Sequence, residues 1–241
     1  MMLAIPVLDI KSGRCVHTQS KASKQKLIMD DPADLCAELV EHGAKQIQLV
    51  DVDAIRNRQP EHLSLVTKLK QQFPDLIFQV SGGVCSSEDI QIWLDSGADL
   101  VTVGGRLLRQ PEQLELILVE MGKNIVIGMD VRAQVWRNGY CPTPDLSFDD
   151  WIQALEDEEV SALMFTEIPE KGHVNGHSLM AAGELASKIK LPVIAHGGVL
   201  SRHDLLGLAG PGFKALHGVT VGKPMFEGQF SFHEAISALT H

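Results

Sequence analysis

The sequence has no excess of positive charge, no apolar run long enough to cross a membrane, one tyrosine, and four cysteines in 241 residues. Each shortage removes a class of function. A formal net charge of −10 repels nucleic acid and anionic membrane surfaces, so a phosphate ligand must be held by local amide donors or a few cations. Cys15, Cys36, Cys85 and Cys141 are widely spaced and form no C-x-x-C pair, which argues against a zinc site and a disulfide framework and fits a reducing cytoplasm. The N-terminus enters a strand-like run directly, with no basic region and signal core, and no low-complexity linker divides the chain. The expectation is one soluble cytoplasmic domain.

The chain does contain nearly the same passage twice. Val-Ser-Gly-Gly-Val with Ser86, Asp89 and then Val-Thr-Val-Gly-Gly fills residues 80–105, and Ala-His-Gly-Gly-Val with Ser201, Asp204 and then Val-Thr-Val-Gly fills 195–222. Asp9 and Asp130, each closing a short apolar run, are separated by nearly the same offset. The chain therefore divides into halves of about 1–122 and 123–241, each with one carboxylate and one pair of glycine turns.

Short Val/Ile/Leu-rich runs alternate with amphipathic segments, the pattern of parallel strands covered by helices. Strands are expected near 4–10, 46–51, 77–80, 100–103, 124–130, 161–166, 192–195 and 218–221. Helices are expected to begin near Asp31, Pro60, Ser86, Pro111, Ser147, Ser178, Ser201 and Ser231. Eight such units close an α/β (β/α)8 TIM barrel, whose active site sits where the C-terminal ends of the strands emerge. A doubly wound sheet is the alternative, but no G-x-G-x-x-G follows the first strand. Residues 11–30 and 133–146 are the longest irregular stretches and are expected to be loops over that rim.

Asp9 and Asp130 would face one another across the mouth, one taking a proton and the other giving one. A single acidic residue at a strand end caps a helix or meets a cation about as often; two at matching places shift the balance toward catalysis. Gly82 and Gly83, Gly104 and Gly105, Gly197 and Gly198, and Gly222 expose backbone amides just before helix starts, which favours an anion such as phosphate, although glycines also simply make tight turns. Two such groups on opposite sides suit a substrate with a phosphate at each end. His173, His177 and His196 could converge on a metal, but no carboxylate motif completes the set, so no metal is expected. Trp136 and Tyr140 could stack on a heterocycle or simply pack a loop.

Ile-Pro-Val-Leu-Asp-Ile-Lys-Ser-Gly-Arg-Cys-Val at the start, Leu-Val-Asp-Val-Asp at 49–53, the two Gly-Gly blocks and Val-Gly-Lys-Pro-Met-Phe-Glu-Gly at 221–228 together resemble the histidine-biosynthesis barrel family. That family comprises the phosphoribosylformimino-aminoimidazole carboxamide ribotide isomerase and the cyclase subunit of imidazole glycerol phosphate synthase. Asp9 is similar to the isomerase branch, and Asp130 to both. The resemblance implies an Amadori rearrangement of a phosphorylated aminoaldose without metal or organic cofactor, with Asp9 as base at the sugar carbon and Asp130 as acid toward the ring oxygen. It places Thr166, His196 and Lys223 at the substrate site, and it leaves the oligomeric state open.

The departures are equally specific. The family has Gly-Gly-Gly-Ile-Arg where this chain has Ser81-Gly82-Gly83-Val84-Cys85, so a bidentate donor worth about 2 kcal/mol is absent. The isomerase's Arg-Asp-Gly-Thr is here Glu170-Lys171-Gly172-His173. His196 stands where a small residue is usual, and Gly105 where Ser or Thr is. Two other readings follow: a paralogue acting on another phosphorylated metabolite, as relatives associated with pterin-linked one-carbon pathways suggest, and a non-catalytic barrel subunit. Retention of both carboxylates counts against the last.

Overall fold

The computed structural model describes residues 2–18, 25–132, 141–143, 146–168 and 176–240. Its strands are β1 (Leu3–Lys11), β2 (Arg14–Thr18), β3 (Gln25–Met29), β4 (Gln46–Asp51), β5 (Ile77–Ser81), β6 (Leu100–Gly104), β7 (Ile125–Arg132), β8 (Ala162–Ile168), β9 (Val193–Ala195) and β10 (Gly218–Val221). The α-helices are α1 (Pro32–Glu41), α2 (Val52–Asn57), α3 (Leu63–Gln72), α4 (Ser87–Asp95), α5 (Pro111–Met121), α6 (Phe148–Asp157), α7 (Gly176–Ala186), α8 (Arg202–Gly207), α9 (Lys223–Phe226) and α10 (Phe232–Leu239). Strands β1 and β4 to β10 pair in parallel in chain order, and β10 returns to β1. The eight strands thus close the expected (β/α)8 barrel.

Side-chain alternation gives each strand two buried faces. Leu8, Ile10, Ile47, Leu49, Phe78, Val80, Val101, Val103, Met129, Val131, Leu163 and Phe165 belong to the large core between sheet and helices, with Trp93 and Trp151 fully enclosed. The opposite parity points into the barrel. Ile5, Val126, Ala162, Met164 and Ile194 form its apolar interior cluster. Beside it runs a polar chain: Gln46 Nε2 donates to Gln79 Oε1 at 2.8 Å, and Gln79 Nε2 donates to Thr102 Oγ1 at 2.9 Å. Buried amides persist there because they satisfy one another.

The repeated segments adopt the same local structure. Ser86 caps α4, its Oγ accepting from Asp89 N while Asp89 Oδ2 accepts from Ser86 N. Ser201 and Asp204 do the same for α8. Ser86→Ala and Ser201→Ala are each expected to cost about 1 kcal/mol in urea denaturation, and the double variant about the sum, because the two capped helices follow strands on opposite sides of the barrel.

Two expectations require correction. Within the 11–30 stretch, Arg14–Thr18 and Gln25–Met29 are strands and not irregular loop: β2 pairs antiparallel with β1 and β3 with β2, while residues 19–24 lie outside the described residues. The cause is an open edge. β10 pairs only with Leu3–Pro6 of β1, so Asp9–Lys11 on the same edge takes β2 instead. The helix expected near Pro60 starts at Leu63, and α2 precedes it because Asp51 caps a new turn by accepting from Ala54 N at 2.8 Å. Of the 133–146 stretch, residues 133–140 and 144–145 lie outside the described residues.

Candidate functional site at the barrel mouth

Because Leu8 and Ile10 face the helices, Asp9 faces inward, and Asp130, between Met129 and Val131, does the same. From β1 to β7 is four strands in either direction, so the two carboxylates stand on diametrically opposite staves. Asp130 pairs in register with Thr166, and His196 N donates to Phe165 O at 2.9 Å, which sets His196 beside Thr166 in the same layer. The Gly82–Gly83 turn follows β5, and the Gly197–Gly198 turn follows β9, again four strands away; Gly104 ends β6, Gly105 follows it, and Gly222 follows the opposite strand β10. Lys223 is the first residue of α9, its Nζ 3.7 Å from Glu227 Oε1. All these residues gather at one rim.

The carboxylates differ in surroundings. Asp9 is partly enclosed, and burial pushes its carboxyl above the usual range, an effect His17 offsets in part. Asp130 is exposed to the mouth. His17, buried on β2, escapes a reading of the sequence in which that segment is a loop; its Nδ1 has no hydrogen-bond partner among the described residues. Burial also pushes His196 below the ordinary imidazole range, opposed by the Asp130 charge.

Glycine at 82 and 83 has a steric cause of its own. Gly82 has φ +110° and Gly83 φ +71°, and a Cβ would lie 2.5 Å from Asp51 O at the first and 2.8 Å from Ala54 Cβ at the second. The turn is pressed against the start of α2. On the opposite side, Gly197 N donates to Thr220 Oγ1 at 3.1 Å, so that amide is already engaged.

The Leu-Val-Asp-Val-Asp segment builds a clamp on the turn that follows Asp9. Asp51 Oδ2 accepts from His62 N at 3.0 Å, and His62 Nδ1 stands 3.0 Å from Asp51 Oδ1. His62 Nε2 accepts from Gly13 N at 3.0 Å, and Asp53 Oδ2 accepts from Ser12 N at 2.6 Å. The acidic motif therefore fastens the β1–β2 turn; no local pattern in the sequence announces His62 as its partner.

Of the three histidines considered as a metal set, His196 meets Thr220 through Nδ1, His177 is the second residue of α7, and His173 lies outside the described residues, as do Trp136, Tyr140 and the 170–172 segment. Cys15 and Cys36 are buried, and burial with nearby Asp31 among the causes pushes both thiols up to about 12. Iodoacetamide at neutral pH is expected to leave both unmodified in the native protein and to label them after unfolding; mass mapping of native label on either would contradict this burial.

A closed parallel barrel with Asp9, Asp130 and the glycine turns at the C-terminal ends of its strands has the layout of the (β/α)8 barrels whose chemistry is done at the mouth. Residues 3–231 match the model of the family described as histidine biosynthesis protein, and the chain belongs to that family. A relative from Halorhodospira halophila is 33% identical over 98% of this chain and 96% of its own length. One from Nitrosococcus oceani is 31% identical over 98% of this chain and 96% of its own. One from Thioalkalivibrio sulfidiphilus is 29% identical over 97% of this chain and 98% of its own. All three are named as isomerases of a 1-(5-phosphoribosyl)-imidazole-4-carboxamide that carries a second, phosphoribosylamino, group. Among the described residues no helix is long and apolar enough to cross a membrane.

Proposed function

We propose that this chain is an isomerase that converts a phosphorylated ribosyl aminoaldose to the aminoketose, the substrate being the two-phosphate imidazole carboxamide of its relatives' names. The observation that carries the reading is the placement of Asp9 and Asp130 on diametrically opposite strands, both turned into one mouth. Asp130 delivers a proton to the ring oxygen as the C1–O bond breaks. Asp9 removes the C2 proton from the resulting iminium to give the enaminol, and protonation of C1 with loss of the C2 hydroxyl proton gives the aminoketose. These steps are proton transfers, and the enclosure that raises the Asp9 carboxyl strengthens its carboxylate as a base.

The glycine turns after β5 and β6 and those after β9 and β10, with Lys223, take the two phosphates; Thr166 stands between the carboxylate Asp130 and His196 as a substrate contact. We take the whole chain as one domain of two similar halves, acting in the cytoplasm on a small phosphorylated substrate. Support for the location comes from the unpaired cysteines. The test is incubation of purified protein with the aminoaldose and chromatographic detection of the aminoketose against an enzyme-free control. Turnover supports the reading. Folded protein without turnover favours a paralogue with another phosphorylated substrate, the reading that Cys85 and His196 would then explain.

A further inference from the structure

His196 occupies the mouth without a counterpart in the first repeat, where Ser81 precedes the glycines. Thr220 is buried, and its Oγ1 accepts from Gly197 N at 3.1 Å and lies 3.0 Å from His196 Nδ1. A buried hydroxyl proton needs an acceptor, and among the described residues the one that Thr220 meets is the Nδ1 lone pair. The imidazole is therefore held with Nδ1 bare and its proton on Nε2. Nε2 lies across the ring from the Thr220 contact. Burial shifts the imidazole toward its neutral form, against the Asp130 charge.

This arrangement changes the anion site it borders. Thr220 has taken the Gly197 amide, a donor the Gly-Gly turn would otherwise offer, and the same hydroxyl sets the imidazole so that a different N–H is presented one residue earlier. We propose that His196 is a specificity-determining residue whose Nε2–H donates to the phosphoryl group bound on the β9–β10 side of the mouth, standing in for the Gly197 amide. The inference rests on the isomerase reading only for the identity of the full substrate; the phosphate contact belongs to the chain's own geometry.

The test begins with nitrogen NMR of the resting protein labelled with 15N-histidine, assigned by the His196→Gln variant. A bare Nδ1 and protonated Nε2 are expected, with the Nε2 resonance shifting on titration with ribose 5-phosphate in both wild type and Asp9→Asn. If the aminoaldose is turned over, His196→Ala is expected to raise KM about tenfold, the equivalent of roughly 1.4 kcal/mol, with kcat little changed. His196→Gln, which keeps an N–H near the same place, recovers most of it. A proton on Nδ1, an Nε2 resonance indifferent to ribose 5-phosphate, or a KM that Ala leaves unchanged would each overturn the proposal. A shifted resonance without aminoaldose turnover would sink the isomerase reading and leave this contact standing.

Discussion

Asp9→Asn is expected to lower kcat by about 10²–10⁴-fold, the usual contribution of a positioned general base, and Asp130→Asn by a similar factor for the acid. The Asp9 variant is also expected to be more stable than the parent at neutral pH. Burial raises the Asp9 carboxyl, so the folded state holds its proton more tightly than the unfolded chain does. Stability from that group is fully present below the unfolded value near 3.8 and is lost as pH rises through the higher folded value. Asparagine removes the loss. Thermal unfolding should therefore favour Asp9→Asn at pH 7, and the advantage should fade as pH falls toward 4. An Asp9→Asn protein that keeps its kcat would remove the carboxylate from the chemistry; one that unfolds earlier at pH 7 would show that Asp9 is stabilised, not strained, by its surroundings.

Gly83→Ala is expected to cost about 3 kcal/mol, combining a left-handed backbone with a Cβ that meets Ala54 and the carbonyl of Gln59 below 3.0 Å. For a chain of this size the loss corresponds to roughly 6–12 °C in Tm. Gly105 supplies the contrast. It has φ +47°, with nothing within 4 Å of the place a methyl would take, so Gly105→Ala should cost only about 1 kcal/mol. Calorimetry of the two variants separates the causes: equal and small losses would mean that the β5 turn can relax away from α2, and that its glycines serve the ligand alone.

Much of the barrel is legible in the sequence because its two periodicities are plain. Apolar runs such as Ile-Val-Ile-Gly-Met-Asp-Val carry β-branched residues on both faces, and the Ser86/Asp89 and Ser201/Asp204 pairs mark helix starts by their spacing alone. The hairpin β2–β3 is not legible. Its strands are short, and the reason they pair is the open edge that β10 leaves on β1, a property of the closed sheet and not of residues 14–29. The site divides in the same way. Asp9, Asp130 and the glycines stand at strand ends and repeat, so sequence position reveals them. Thr220 and His62 act through partners 24 and 49 residues distant, and only folding brings Nδ1 of His196 to the one and Gly13 N to the other. His196 itself is visible as an unusual residue, whereas the hydroxyl that fixes its tautomer is not.

The most direct test of the whole account is a crystal structure with the aminoketose product bound. The account predicts the sugar between Asp9 and Asp130, one phosphate at the turns after β5 and β6, and the other at Gly198, Gly222 and Lys223 within reach of His196 Nε2. A product bound away from the mouth, or lying in it with neither carboxylate beside the sugar, would contradict it.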